Sequence, residues 1–376
     1  MTTQNIETII GRRNDIEYLR IIAVLLLIPF HCAMVFFSYE PFYVKSTHSH
    51  PLLDYFVLFL SPWHMPLLFL IAGMSSCYSL QKRIWKQYLL ERTKRLLIPF
   101  LFGIFVIVPP QPFIAYLRHY PDPSLVDFLK QYFFHIQGDF TGYTGSFTPA
   151  HLWFILYLYF FSIISVPLFL LVKKHSEIIA SYLSKRGLLL LYPIIIGLAE
   201  QLPSISSKNP FYYYTYFFIG YLIASHPQIE QSINNEKAVV LSLGVLTMIT
   251  YLLLIKTSFN FEKYSYLDVS FYILRKFNAW FWLMWILGYG KKILNFQSRW
   301  LPYASKMSYP FYILHQTVII ILAYYVVQWQ TNIWAQFFSL VILSFIFTIA
   351  IYHFLVRKYK LCRLVFGVTD RKILGI

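Results

Sequence analysis

Long apolar stretches alternate with short polar connections along the chain, as in "YLRIIAVLLLIPFHCAMVFFS" at residues 18–38. About 20 predominantly apolar residues are enough for one helix to cross a bilayer. The pattern therefore predicts an all-α polytopic membrane protein, a bundle of about ten transmembrane helices. We expect the spans near residues 18–38, 52–80, 97–117, 149–172, 188–205, 210–226, 238–256, 269–290, 309–329 and 333–356.

The basic residues between these stretches are unevenly distributed. If the N-terminus is inside, 23 of the 32 Lys and Arg residues lie on the cytoplasmic side, 8 lie outside or at the outer edge, and Arg20 lies within the first stretch. Cytoplasmic loops of membrane proteins carry an excess of Lys and Arg. The count therefore predicts that both termini are cytoplasmic, which requires an even number of spans.

The composition excludes an ordinary soluble domain. Hydrophobic residues make up 58% of the 376 residues and charged residues only 13%, whereas soluble domains carry about 25% charged residues. The net charge of +16 would suggest nucleic acid in a soluble protein, but here it follows from the basic loops, and we expect no nucleic-acid partner. The three widely spaced cysteines indicate neither a disulfide framework nor a zinc site.

We expect a single integral-membrane domain over residues 1–376, with a cytoplasmic arm at about 1–17 and a cytoplasmic tail at about 357–376. The first apolar stretch is too long for a signal peptide, and further spans follow it. The longest connection, 118–148, is too short for an appended catalytic domain. Any chemistry is therefore expected inside the bundle or at its faces.

Three ionisable residues of the first stretch fall on one helical face. At 100° per residue, Arg20 and His31 differ by about 20°, and Glu17 and His31 by about 40° in the other direction. Ionisable groups at membrane depth are costly and usually face the interior of a bundle. The stripe predicts a functional His31 near the middle of the membrane, with Glu17 and Arg20 towards the cytoplasm. The alternative is a structural histidine bonded to a neighbouring helix.

A pair of arginines stands where the chain re-enters the membrane, in "ERTKRLLIPF" at 91–100. Arg92 and Arg95 are three residues apart, so they are neighbours on a helix surface. Paired guanidinium groups are suited to phosphate recognition. The alternative is that they only add to the positive charge of a cytoplasmic loop.

Three further histidines are candidate pocket residues. His64 stands between two prolines in "SPWHMP", where a helix would break, and could line a cavity; a packing role is the alternative. His151 and His315 begin or lie within other spans, and Trp153, two residues after His151, is a further candidate pocket residue. No HxxxH or HExxH pair is present, so we expect no metal.

The motifs together resemble the acyltransferase-3 family of integral-membrane acyltransferases. "DIEYLRIIAVLLLIPFH", "HMPLLFLIAGMSS", "RTKRLLIPFLFGIFVIVPPQ", "HLWFILYLYF" and "SKMSYPFYILHQ" stand in the order seen in that family. "VIVPPQ" and "HLWF" make the branch with the periplasmic glucan succinyltransferases the most similar. This chain has no acid after Trp153, where many members carry a glutamate.

The resemblance implies a ten-helix bundle in the cell (inner) membrane that transfers an acyl group from cytoplasmic acyl-CoA to an acceptor on the outer side, usually a glycan. His31 matches the histidine of the family's first helix. Glu17 and Arg20 match an acid-x-x-Arg motif, in which the acid is commonly Asp. Arg92 and Arg95 match an Arg-x-x-Arg motif.

On this hypothesis the donor is acetyl-CoA or succinyl-CoA, with its phosphates at Arg92 and Arg95, and the acceptor is a glycan or glycolipid. His31 acts as general base, a role that suits an imidazole with an unperturbed pKa near 6.5; a covalent acyl-histidine is the other route. Glu17 and Arg20 orient or pair rather than react.

Two readings compete with this hypothesis. One is a carrier or flippase for a lipid or small solute, with His31 in a proton relay. The other is a non-catalytic partner in a glycan assembly complex. Dependence on acyl-CoA separates the transferase from the carrier, because only the transferase releases free thiol.

Overall fold

The computed structural model describes residues 13–120, 124–134, 140–185, 187–205, 208–258, 261–262 and 265–368. Most of the predicted cytoplasmic arm and part of the predicted tail, namely residues 1–12 and 369–376, lie outside the described residues. Five residues that entered the charge count also lie outside the described residues: Arg12, Arg186, Lys263, Arg371 and Lys372.

A helical segment occurs at each of the ten predicted spans, and the described residues contain no β-strand. We number these segments first to tenth. The α-helices are Asn14–Leu25, Leu27–Met34, Pro51–Leu60, His64–Lys82, Trp85–Arg92, Ile98–Phe102, Pro110–His119, Leu125–Phe134, Trp153–Lys174, Ser176–Leu183, Tyr192–Glu200, Pro210–Ser225, Pro227–Ser258, Tyr266–Ile293, Leu301–Val326, Ile333–Ile351 and Lys360–Val365.

Seven of these segments are long and apolar enough to cross a membrane. They are Asn14–Met34, Pro51–Lys82, Trp85–Arg118, Ala150–Lys174, Pro227–Ile255, Leu301–Val326 and Ile333–Val356. A bent pair, Glu177–Leu183 with Leu188–Glu200, raises the number to eight if it is one span. The described residues therefore form an all-α polytopic protein, and the number of ten spans stays a prediction.

Two glycines hold the second and sixth segments close together. A Cβ atom on Gly73 would lie 1.8 Å from the Phe217 carbonyl oxygen, and one on Gly220 would lie 2.0 Å from that of Leu70. Small residues allow membrane helices to approach until their backbones touch. Gly73 and Gly220 therefore each supply one half of this backbone contact.

The ninth segment, Leu301–Val326, is largely enclosed by the bundle near the site. Most of its residues from Ser308 to Ile320 are buried, and it packs against the first, third and tenth segments. The first segment therefore presents one long face to a buried neighbour. This packing determines whether the side chains of Glu17, Arg20 and His31 point towards the ninth segment or away from it.

Two irregularities lie near the polar residues. The second segment is interrupted by a turn between Leu60 and His64, where Pro62 and Pro66 disfavour a continuous helix. The third segment contains two π-helical stretches, Thr93–Leu97 and Gly103–Ile107. Such bulges are frequently found at functional sites because they re-aim side chains within a helix.

Candidate functional site

A cavity of about 1270 Å³ lies inside the bundle. The candidate pocket residues predicted from the sequence all line it, together with the predicted catalytic histidine: His31, His64, His151, Trp153 and His315. The volume exceeds the range of about 300–1,000 Å³ that is typical of small-molecule sites. The cavity is therefore large enough for more than one small substrate.

His31 lies in a cage of aromatic rings at the cavity wall. Its ring stacks on Phe42 with centroids 5.9 Å apart, meets Phe30 edge-on at 5.1 Å, and lies 5.3 Å from the His315 ring. Its Nδ1 atom is buried, and no described residue hydrogen-bonds it. A structural histidine is expected to have such a partner, because an unpaired buried polar atom costs free energy. This geometry favours the functional interpretation of His31.

His151 and His315 form a second pair of rings, 5.0 Å apart and edge to face. His151 Nε2 donates to the Ile313 carbonyl oxygen at 2.9 Å, and His315 Nδ1 donates to the Tyr312 carbonyl oxygen at 2.6 Å. Tyr312 in turn donates its hydroxyl to the His151 carbonyl oxygen. The fourth and ninth segments are thus locked together beside His31.

His64 combines both of the roles considered for it. It lines the cavity at the break in the second segment, and its Nε2 donates to the Ala23 carbonyl oxygen in the first segment at 2.7 Å. The neutral imidazole has only one N–H, so this bond fixes its tautomer. His64 therefore supports the helix that carries His31.

The predicted stripe of the first segment faces the ninth segment at two depths. Arg20 donates to Ser305 Oγ at 2.8 Å, while His31 lies against His315 of the same neighbouring helix. Glu17 is close enough to stabilise the charge of Arg20. Arg20 and His31 thus face the same neighbouring helix, as the helical period predicts, and the place of Glu17 on this face and the roles of the three residues stay predictions.

Arg92 and Arg95 stand near Arg20 but do not line the cavity. Arg92 lies over the Tyr88 ring at 4.9 Å and donates to Ser76 Oγ at 3.3 Å, and its buried Nε has no partner among the described residues. Arg95 pairs with Glu91 at 3.2 Å and its side chain is 41% exposed. The structure brings the three arginines together as one group, separate from the histidines.

Charged residues that the sequence did not indicate as site residues also line the cavity. Lys208, Arg275, Lys276 and Glu200 line it, and Lys276 forms an ion pair with Glu200. Burial lowers the pKa of Lys208, and the nearby Glu40 carboxylate partly offsets this shift. Their charge was visible in the sequence, but the count of Lys and Arg treated the three basic residues only as residues outside or at the outer edge of the membrane, and it did not include Glu200.

Two connections between the helical segments also line the cavity. Phe42 and Tyr43 line it from the connection after the first segment, and Thr141 and Tyr143 line it from the long connection before the fourth. Tyr43 donates its hydroxyl to the Thr141 carbonyl oxygen at 2.8 Å. The long connection is therefore a wall of the site. Among the described residues, no group of three or more His, Cys, Asp or Glu side chains is placed to hold a metal ion.

Comparison with known proteins identifies the family. The acyltransferase-3 family, described as an acyltransferase domain, matches residues 13–353, nearly the whole chain. The chain belongs to this family. It is therefore an acyltransferase, and with its apolar helices a multi-pass membrane protein.

Several relatives carry the name glucans biosynthesis protein C. Those of Escherichia coli (strain K12) and Shigella dysenteriae serotype 1 are 22% identical to the chain over 356 residues, which cover 87% of this chain and 87% of each relative. The relative from Salmonella schwarzengrund is 22% identical over 349 residues, 85% of this chain and 86% of its own length. No solved structure matches the chain.

Proposed function

We propose that this acyltransferase moves an acetyl or succinyl group from cytoplasmic acyl-CoA to a hydroxyl of a glycan or glycolipid on the outer side of the cell (inner) membrane. Family membership supports acyl transfer, and the name of the relatives, glucans biosynthesis protein C, supports a glycan acceptor. The observation that carries the proposal is the cavity within the bundle, because it places His31 beside His315 and His151 in a space large enough for both substrates.

The donor enters from the face that carries Arg20, Arg92 and Arg95. Acyl-CoA carries several phosphates, and guanidinium groups bind phosphate through two parallel hydrogen bonds. The unpartnered Arg92 Nε and the part-exposed Arg95 side chain leave donors available for this contact. Since the arginines do not line the cavity, the pantetheine arm must pass between the first, third and ninth segments to bring the thioester to His31.

The acceptor enters the cavity from the side opposite to the arginines, where aromatic rings and a lysine form the wall. Trp153 and Tyr213 present neighbouring aromatic rings with centroids 4.9 Å apart, and the Lys208 ammonium lies over the Trp153 ring at 5.7 Å. Aromatic faces beside hydrogen-bonding groups offer a sugar ring both apolar contact and hydroxyl partners. This wall is the proposed position of the glycan.

At the meeting point His31 acts as general base. It takes the proton of the acceptor hydroxyl while the hydroxyl oxygen attacks the thioester carbon, and the C–S bond breaks to release coenzyme A. Proton transfer of this kind contributes about 10²–10⁴-fold to a rate. The surrounding rings of Phe30 and Phe42 exclude water, which limits hydrolysis of the thioester.

The test is the glycan itself. Membrane glycans of a deletion strain and of the same strain carrying the restored gene are compared by mass spectrometry, and membranes are assayed for thiol release from acetyl-CoA and succinyl-CoA. We expect the deletion to lose the mass of one acyl group and the restored strain to regain it. Unchanged glycans together with no acyl-CoA-dependent thiol release would instead favour the carrier.

A further inference from the structure

Two neighbouring imidazoles in the cavity each have a nitrogen without a hydrogen-bond partner. These are Nδ1 of His31 and Nε2 of His315, both buried and unpaired with any described residue. The two rings are 5.3 Å apart and inclined by 37°. The other two cavity histidines, His64 and His151, each give an N–H to a backbone carbonyl of a neighbouring segment. Nε2 of His226 is also buried and unpaired but lies outside the cavity, so what sets His31 and His315 apart is that their rings are neighbours and both line the cavity.

The tautomer of His315 follows from its one hydrogen bond. A carbonyl oxygen only accepts, so Nδ1 of His315 must carry the proton that it donates to the Tyr312 carbonyl at 2.6 Å. In the neutral ring, Nε2 then has a free lone pair. An imidazole held by a bond at one nitrogen and free at the other has the arrangement of a positioned general base.

The surroundings hold His315 in this orientation. Its ring packs edge to face on His151, and Tyr312, one helical turn earlier, donates its hydroxyl to the His151 carbonyl oxygen. The next residue, Gln316, donates to Gln111 of the third segment at 3.0 Å. Contacts to two other segments thus fix the helix on both sides of His315, while no described residue hydrogen-bonds Nε2.

We propose that His315 is a second catalytic residue, which carries the proton from His31 to the departing thiolate. This step rests on the proposed function. His31 takes the proton of the acceptor hydroxyl as the new C–O bond forms, and the C–S bond breaks with its electron pair on sulfur. His315 Nε2 then accepts the proton from His31, directly or through one water, and gives it to sulfur. The hydroxyl proton ends on the thiol, and both imidazoles return to their neutral state.

The decisive variant is His315→Asn. The amide nitrogen of Asn occupies nearly the position of Nδ1 on the side chain, so it can keep the hydrogen bond to the Tyr312 carbonyl but cannot carry a proton at Nε2. We expect the rate of thiol release, measured per folded molecule in membranes with acetyl-CoA and succinyl-CoA, to fall about 10²–10⁴-fold. The affinity for acyl-CoA should stay at the wild-type value.

A matched control is His226→Asn, which likewise replaces an imidazole bonded to a backbone carbonyl through Nδ1. His226 is also buried, but it bonds to Ser225 and to the Leu222 carbonyl and does not line the cavity. We expect this variant to release thiol at the wild-type rate. If wild type and control are active and His315→Asn retains most of that rate, His315 has only a structural role and the relay is wrong. If wild-type membranes release no thiol from either donor, the proposed function itself fails.

Discussion

At the scale of single residues, two side chains of the proposed site each have a buried nitrogen without a hydrogen-bond partner among the described residues. Nδ1 of His31 and Nε of Arg92 are both buried, and no described residue hydrogen-bonds either atom. Leaving such groups unpaired costs about 1–3 kcal/mol each. Substrate atoms that arrive at these positions recover that cost, which is why we expect the two residues to act on the acceptor and on the donor.

The variants His31→Ala and His31→Gln distinguish a catalytic role of His31 from a structural one. Gln keeps a hydrogen-bonding side chain but cannot take a proton at neutral pH, so both variants should lose about 10²–10⁴-fold in acyl transfer while protein level and acyl-CoA binding stay near normal. Product formation and membrane protein level are measured side by side. An active Gln variant with a poorly expressed Ala variant would mean that His31 is structural.

Arg92→Ala combined with Arg95→Ala tests the donor site. Each charge-assisted contact is worth about 1.5–3 kcal/mol, so acyl-CoA affinity should fall at least about tenfold. Lys at either position should restore affinity only in part, because it cannot make the two parallel bonds of guanidinium.

The control for the arginine pair is Arg83→Ala. Arg83 belongs to the same connection between the second and third segments and pairs with Glu91 at 2.9 Å, so its loss removes a comparable charge and we expect acyl-CoA affinity to remain unchanged. Equal affinity in wild type and the double variant would reduce Arg92 and Arg95 to loop charges that only set the orientation.

At the scale of helices, the contact between the second and sixth segments depends on two missing side chains. Gly73→Ala places a methyl group against the backbone of Phe217, which cannot move aside as a side chain could. We expect the free energy of unfolding to fall by about 3 kcal/mol, the upper end of the typical range for overpacking, seen as a lower melting temperature in detergent and less protein in the membrane.

Gly197→Ala is the matched control, because a Cβ atom there meets nothing within 4 Å. Alanine is also the better helix former, so this variant should be at least as stable as wild type. If Gly73→Ala melts at the wild-type temperature, the close packing of these two helices is not required for the bundle.

The helical segments and the Arg20 and His31 face could be predicted because apolar run length and helical period are local properties of the sequence. The meeting of His31 with His315 could not, because it depends on which helices become neighbours, and their separation of 284 positions in the sequence gives no local signal. For the same reason, the sequence could not show that Arg92 and Arg95 lie outside the cavity lining. Lys208 and Lys276 are visible in the sequence, but their contacts with Trp153 and Glu200 depend on how the helices pack.

At the scale of the whole molecule, the proposed function requires that the two substrates enter from opposite sides of the membrane. The arginine group and the charged end formed by Lys208, Arg275 and Lys276 stand at separate places in the bundle, and only the second borders the cavity. The most direct test uses sealed membrane vesicles of known orientation, loaded with acyl-CoA that carries a labelled acyl group.

We predict that label reaches glycan on the outer face only when acyl-CoA is supplied on the cytoplasmic face, that free thiol appears on the cytoplasmic side, and that His31→Ala abolishes both. Labelling of the outer glycan by acyl-CoA added only from outside, or equal labelling in vesicles that carry His31→Ala, would contradict transfer through the membrane at His31.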